Sequence, residues 1–549
     1  MPKLKNEFKV LIVYPNLPLM LSPSLAVGLF TEIFKSNGYT VGLFDTTYYI
    51  NEEGSHPQNR AKFLQVRDFD EKDDLGANFK HDMLADFRRK VLNFEPDFMV
   101  FSLVEDVLST ALNLLKSVKD LNIPHLVGGV FPTAAPDRCF DFPEIKIIGI
   151  GEGEQTILNV AEALRLDLPL NDIAGVWFRD ENTGQVYKNS HPTLVDINEY
   201  CPDYSLFEEN RFFRPMGGKV FKMISIETYR GCPYQCTYCN SPMHVASAKE
   251  NNLGNFLRRK PMNVLKKELG KMVDLFDPQF ILFIDDSFLA RPQKEVFDFC
   301  DMYEEFSLPF FINSRPECFT VENLKRLKEV GCYRISAAIE SGNEDYRTNV
   351  LRRNGTNESI INWFNTLTES GIAYTINLII GFPGETREMV MDTVELVRSI
   401  QGYDTLTVSI FTPYHGTVLR EVAIKNKWLD PDLKVETHFT ATSILKMPPP
   451  YLSSEEIDGL IRTLPLYCFF PKNEFEKIKR AEINDVVGNE ILEQYADIYR
   501  REFLGESQEE RGVLKVEGGS GCRSNPKDSF PVTGKKLSPE EIQMLTTNH

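Results

Sequence analysis

Three cysteines fall within eight residues, Cys232, Cys236 and Cys239 in the segment GCPYQCTYC. On an unbroken helix the i, i+4, i+7 spacing would give one stripe of thiols, but Gly231 and Pro233 argue against a helix there. The other seven cysteines, Cys139, Cys201, Cys300, Cys318, Cys332, Cys468 and Cys522, stand alone, which is not a disulfide framework. The tight triplet reads as metal or redox donors in a reducing compartment. Three thiolates bind three irons of a 4Fe-4S cluster and leave the fourth iron open to another ligand. Zinc in a structural site takes a fourth protein ligand, and the nearest histidine, His244, has no obvious ligand spacing.

These thiols need a scaffold, and two blocks of alternating strand and helix patterns supply it. Strands are expected at Phe8 to Pro15, Thr40 to Phe44, Asp97 to Ser102, His125 to Val127 and Ile145 to Ile150, with helices over Ala77 to Asn93 and Asp106 to Leu121. This is the pattern of a doubly wound, Rossmann-like parallel sheet, whose ligands bind at the carboxyl ends of its strands. Those ends carry YPNLP, FSLVED, VGGVFP and GIGEGE, which together suggest a ligand edge. From Met223 a second rhythm begins, MISIETYR, ILFIDDSF, PFFINSRP, YRISAAIES, YTINLIIGFP and LTVSIFTP, six strand-helix units expected to form a partial (β/α)6 barrel of the TIM type. The cysteines directly follow the first of these strands, where active-site groups gather.

The domain reading is a Rossmann-like domain over 1–170, a linker over 171–214, the barrel over 215–420, a helical segment over 421–503 and a disordered tail over 504–549. In the helical segment SSEEIDGLIRTL offers a Ser-x-x-Glu helix start.

GCPYQCTYC, with its C-x-x-x-C-x-x-C spacing and an aromatic residue before the last cysteine, resembles the signature of the radical S-adenosylmethionine (SAM) enzymes. The resemblance implies a 4Fe-4S cluster on Cys232, Cys236 and Cys239 whose open iron chelates SAM, reductive cleavage to a 5′-deoxyadenosyl radical, and a reductant such as flavodoxin or ferredoxin. It also implies SAM contacts at Tyr238, at Asp285 and Asp286 ending the second strand, at Glu340 and Ser341 ending the fourth, and at Gly381 and Pro383 in GFPGET. Arg315 and Arg352 are candidates to pair with the SAM carboxylate.

The doubly wound domain ahead of the barrel resembles the cobalamin-binding members of that group, over about Phe8 to Leu419. The resemblance implies cobalamin contacts at Tyr14, Pro15, Asn16 and Leu17, at Ser102, Leu103 and Val104, at Gly128 and Gly129, and at Gly151, Glu152 and Gly153. No Asp-x-His-x-x-Gly motif occurs, so a bound cobalt is expected to lack a protein histidine, its lower face covered by the loop near Leu17 to Leu21. The leading expectation is methyl transfer from methylcobalamin to a carbon or phosphorus centre of a small or lipid-like substrate. The alternative is non-methylating chemistry on the same architecture, such as oxidative cyclisation, ring rearrangement or C–C bond formation on lipids. tRNA methylthiotransferases need three further N-terminal cysteines, and only Cys139 precedes residue 200. Tyr414 and His415, after the sixth strand, are candidates to face substrate, His415 as an acid or base.

Net charge bounds the partners. With 61 Lys and Arg against 79 Asp and Glu the chain carries −18, which repels phosphate backbones and argues against broad nucleic-acid binding. No apolar run approaches the 18 residues of a membrane span, and MPKLKNEFKV lacks the apolar core of a signal peptide, so a cytoplasmic location is expected.

Overall fold

The computed structural model describes residues 2–50, 56–67, 69–433, 442–505 and 536–546. The first sheet has the order β2-β1-β3-β4-β5-β6-β7. Its five parallel strands are β1 (Lys9–Tyr14), β2 (Thr40–Asp45), β3 (Phe98–Ser102), β4 (His125–Gly128) and β5 (Ile147–Gly149). The apolar runs VLIV and FMVF are buried because helices cover both faces. The strand order reverses between β1 and β3, the switch point at which such sheets open a ligand crevice.

Two antiparallel strands, β6 (Val176–Arg179) and β7 (Val186–Lys188), extend this sheet. They correct the reading of 171–214 as a linker: VWFR and VYK form a hairpin across the Asn-Thr-Gly turn, and VWFR pairs with β5. The helix expected from Ala77 starts only at Met83, where the Asp82 carboxylate caps the Ala85 amide.

The second sheet has the order β16-β15-β14-β13-β12-β9-β8. Six strands are parallel, β9 (Lys219–Ile226), β12 (Phe280–Phe283), β13 (Phe310–Ser314), β14 (Cys332–Glu340), β15 (Ala373–Ile380) and β16 (Thr405–Ile410). Strand β8 (Phe213–Met216) adds antiparallel to β9. Among the described residues β8 and β16 do not pair, so this is the six-unit partial barrel anticipated from the sequence. A short pair, β10 (Tyr229–Arg230) and β11 (Arg258–Arg259), stands at its mouth.

One hydrophobic core runs from Val10 and Ile12 through Tyr204 and Phe207 into Ile224 and Ile281. The Tyr204 hydroxyl donates to the Ser225 carbonyl, and a Cβ on Gly28 would collide with the Tyr204 ring. The two domains therefore meet through packed side chains, which fixes the strand ends of both sheets against each other.

After the barrel, helices span Ser454–Phe469, Phe475–Ala481 and Val486–Tyr499, the first opened by the Ser453/Glu456 capping box. The expected disorder after Gly505 falls mostly outside the described residues, but 536–546 are a correction. A Ser538/Glu541 capping box starts a helix at Pro539–Leu545, and Leu537 and Leu545 are buried. The two apolar anchors, with the Leu537 amide donating to Asp345 and Asn426 donating to the Met544 carbonyl, dock this short piece.

Candidate functional site

The cysteine loop is built to be rigid. Gly231 has φ +94°, and a Cβ there would press on Phe256 and Leu257, so only glycine turns the chain here. The Thr237 hydroxyl donates to the Val350 carbonyl at 2.7 Å, and its own carbonyl accepts from the Leu419 amide at 3.0 Å. Cys236 is buried, while Cys232 and Cys239 are half-buried. Burial pushes the Cys232 thiol up to about 12 and raises that of Cys239, so thiolates persist here only against a compensating positive centre. Among the described residues no three His, Cys, Asp or Glu side chains are placed to hold a single metal ion. The Arg315 guanidinium points Nη1 at the Cys236 sulfur, 3.6 Å away, and Arg353 Nη1 lies 4.0 Å from it. Soft donors, two nearby cations and a pinned loop fit an iron-sulfur cluster.

Around the loop, the residues expected near SAM divide. Tyr238 donates to Glu340 Oε1 at 2.9 Å and accepts from Arg353 at 3.0 Å, while its ring meets Phe382 at 5.6 Å. Glu340 sits at φ +69° and is 6% exposed. The sequence points to Arg352 and not to Arg353, but Arg352 is exposed with φ +54°, and it is Arg353 that is buried beside Tyr238. Asp286 accepts from Ser241 at 2.8 Å and lines the mouth cavity. Asp285 also borders that cavity, but its carboxylate is committed to Arg291 at 2.8 Å and to the Thr228 and Tyr229 amides, tying β12 to the start of the cysteine loop. Ser341 is fully buried, its carbonyl held by Arg347. Gly381 and Pro383 form a turn closed by Glu385, which accepts the Gly381 and Phe382 amides and which burial pushes up to about 8.

The mouth cavity, about 460 Å3, lies between the strand ends of the two sheets. Val104, Glu105 and Asp106 follow β3, Phe131 follows β4, and the barrel contributes Glu227, Arg230, Cys239, His244, Tyr414 and His415. Tyr414 donates to Asp106 at 2.9 Å; Glu105 accepts the His415 amide at 3.0 Å and lies 2.7 Å from its Nδ1. Burial raises the Asp106 carboxyl, and the Tyr414 hydrogen bond opposes it. The sequence offered Tyr414 and His415 but not their carboxylate partners, which reside in the other domain.

A second cavity, about 330 Å3, opens below the first between the helix Leu25–Ser36 and the ends of β3, β4 and β5. Ser102, Gly128, Gly129, Gly151, Glu152 and Gly153 line it as expected for a ligand edge. Tyr14, Pro15, Asn16, Leu17 and Leu103 line neither cavity, and Val104 lines the first. Asn16 is held by the Met20 carbonyl and Thr47, and Leu19 and Leu21 pack with Tyr48 and Leu75 in a separate small core. The loop 17–21 therefore faces away, and Leu25, Leu29 and Phe30 of the following helix form that wall instead.

Arg230 joins the two cavities. Its guanidinium reaches Glu227, Glu152 and Glu154, and Arg258 also pairs with Glu152. Burial alone would raise the Glu152 carboxyl; Arg258 and Arg230 outweigh it and hold the carboxyl below its ordinary value.

Against known proteins, the radical SAM superfamily profile matches residues 226–397, and the B12 binding domain profile matches 61–161. An uncharacterized methyltransferase of Pyrococcus horikoshii is 26% identical over 66% of this chain and 79% of its own length. The cytidylyl-2-hydroxyethylphosphonate methyltransferase of Streptomyces wedmorensis is 20% identical over 81% of this chain and 87% of its own. The cobalamin-dependent SAM radical enzyme OxsB, solved with aqua-cobalamin and SAM, superposes with a TM-score of 0.61 at 16% identity, over 90% of this chain and 72% of that one. The radical SAM methyltransferase TsrM of Kitasatospora setae gives 0.55 at 16% identity, over 77% of each chain.

A B12-binding sheet whose strand ends face a cysteine-bearing partial barrel defines a two-cofactor radical enzyme. The chain combines a radical SAM domain with a B12-binding domain.

Proposed function

We propose that this enzyme is a methyltransferase that moves a methyl group from methylcobalamin to a carbon or phosphorus centre of a small or lipid-like substrate. The observation that carries the reading is the mouth cavity, bordered at once by Cys239 of the cluster loop and by Val104 and Phe131 at the strand ends of the B12-binding domain. When bound, the cluster with SAM supplies a 5′-deoxyadenosyl radical, and cobalamin supplies the methyl group.

The chain's own residues do the positioning. Cys232, Cys236 and Cys239 hold the cluster, Arg353 and Glu340 orient the Tyr238 ring beside it, and Gly128, Gly129, Gly151 and Gly153 let backbone approach a large flat ligand. Glu105 fixes the His415 ring, and Asp106 fixes the Tyr414 hydroxyl, so both face the cavity in one orientation. Methyltransferases among the relatives support the reading, while the 25% identical 4′-phospho-dehydrooxetanocin synthase of Priestia megaterium, of which this chain covers 49%, is not named a methyltransferase and keeps non-methylating chemistry as the rival.

The test is anaerobic reconstitution with iron, sulfide and hydroxocobalamin, then turnover with SAM labelled in its methyl group against a panel of candidate substrates. Label in product together with 5′-deoxyadenosine is the expected result. 5′-Deoxyadenosine with an altered but unlabelled product favours the rival.

A further inference from the structure

The wall of the barrel is open between β16 and β8, and a segment of the first domain covers the gap. From this segment Gln65 donates to the Val408 carbonyl at 2.8 Å, and Arg60 Nη2 donates to the Thr407 hydroxyl at 2.6 Å. Along β14 to β16 the residues Ile335, Ala337, Ile376, Leu378, Leu406 and Val408 belong to the core packed under the outer helices. Alternation therefore turns Ser336, Asn377 and Thr407 to the barrel interior, where Asn377 donates to Ser336 at 2.6 Å. The interior is therefore polar along β14 to β16, whereas Met216, Met223, Phe280 and Leu282 of β8, β9 and β12 make its other side apolar; Arg60 reaches the polar side at Thr407.

Arg60 is not alone. Arg214 of β8 stands on the opposite edge of the gap, near enough for the two like charges to act on each other. The Arg60 Nε is buried without a hydrogen-bond partner, and the Arg214 guanidinium has neither a hydrogen bond nor an ion pair among the described residues. Enclosed arginines elsewhere are each partnered, Arg334 by Asp404, Arg230 by three glutamates, Arg353 by Glu340 and Arg291 by Asp285, and Arg347, Arg398 and Arg420 by backbone carbonyls without a carboxylate; among the described residues Arg214 has no partner of either kind. Two half-buried like charges side by side, neither with a carboxylate, favour a negative group between them. Burial accordingly lowers Arg60 to about 10.

We propose that Arg60, Arg214 and Thr407 form an anion site inside the barrel that holds a phosphate or carboxylate group of the substrate. The planar fork of arginine suits both groups. Thr407 lies three residues before the end of β16, so the anion would sit about 10 Å below the rim. A substrate anchored there must be long enough to bring its reacting centre up to the mouth cavity. This deepens the methyl-transfer reading by naming a substrate class, and it rests on that reading for the barrel's role.

The probes are inorganic phosphate and acetate, titrated into the reconstituted full-length holoenzyme in an otherwise anion-poor buffer, with calorimetry and thermal unfolding as readouts. Saturable binding of one of them is expected, phosphate marking a phosphoryl substrate and acetate a carboxylate. Arg60→Met and Arg214→Met should each weaken it at least tenfold with iron and cobalamin content unchanged. The double variant removes two like charges while keeping their bulk, so it should melt no lower than wild type when no anion is added. Absence of saturable binding of either probe, equal binding by the double variant, or a lower melting point for that variant without anion would each overturn the site. Methyl transfer is scored separately by label: anion binding without methyl transfer sinks only the reaction, and methyl transfer without anion binding sinks only the site.

Discussion

The two cavities share a wall of Val130, Glu227, Arg230, His244 and Phe256, yet they are built from opposite materials. The lower one is walled by glycines 128, 129, 149, 151 and 153 and by Leu25, Leu29, Phe30, Leu126 and Ile157, and its acidic residues Glu152 and Glu154 are neutralised by arginines. The upper one presents Glu105, Asp106, Asp286, Cys239, Tyr414 and His415. A backbone-rich, apolar hollow binds by shape and accepts a large ligand with many weak contacts. A cavity dense in fixed side chains is where bonds change, because charge and orientation can be set there before substrate arrives. On the proposed methyl-transfer reading, holding falls to one sheet and chemistry to the junction.

The largest effect should follow from removing one donor. Cys236→Ala takes away the most enclosed of the three sulfurs and leaves Arg315 Nη1 without its sulfur neighbour. Iron after anaerobic reconstitution should fall from about four per chain to near background, and turnover by at least ~1,000-fold. Cobalamin absorbance should persist, because no cysteine lines the lower cavity. Wild-type iron content in the variant would break the assignment of the cluster to this loop.

Next comes the shared wall. Arg230→Gln leaves Glu152, Glu154 and Glu227 gathered with only Arg258 to balance them, and breaking such an enclosed network costs about 3–5 kcal/mol. Denaturant unfolding should show that loss at pH 7. The pH dependence has a definite sign. Glu152 is held below its ordinary value in the native wild type, so its contribution is complete above about pH 4.3 and is lost as pH falls through the lowered native value. In the variant that native value rises, so the deficit relative to wild type should shrink on acidification. A deficit independent of pH would mean that Arg230 acts through packing and not charge.

What the sequence revealed and concealed follows the same divide. The cysteine loop, the buried runs VLIV and FILF and the Ser453/Glu456 cap are local patterns, readable because neighbours in the chain carry the whole signal. The upper cavity is not local. His415 and Glu105 meet across 310 residues, so a histidine without a motif could be suspected and its partner could not. Arg352 and Arg353 are chemically identical in the string, and only the left-handed turn at Arg352 decides which one turns inward. The loop after β1 shows the converse error. It has the composition of a ligand loop, but Leu19 and Leu21 find apolar neighbours of their own and turn away from the cavity. The docked helix 539–545 was hidden because 30 intervening polar and glycine-rich positions dominate the composition of the tail.

The mildest test separates the cavities most cleanly. Gly129 has φ +121°, and a Cβ built on it would run into the carbonyl of Leu103, the residue after β3. Gly129→Ala therefore forces the β4 loop away from the β3 loop, at about 1–3 kcal/mol for the backbone conformation alone. The displaced amides are those that border the lower cavity, so cobalamin retained after gel filtration should fall at least ~10-fold. Iron content and the EPR signal of the reduced cluster should stay at wild-type levels, because the cysteine loop is anchored to Val350, Leu351 and Leu419 inside the barrel and not to this edge. The result would be the mirror image of Cys236→Ala, one variant keeping iron and the other keeping cobalamin. If Gly129→Ala instead lost both cofactors together, holding and chemistry would not be separable, and the wall at Arg230 would have to transmit the strain from one sheet to the other.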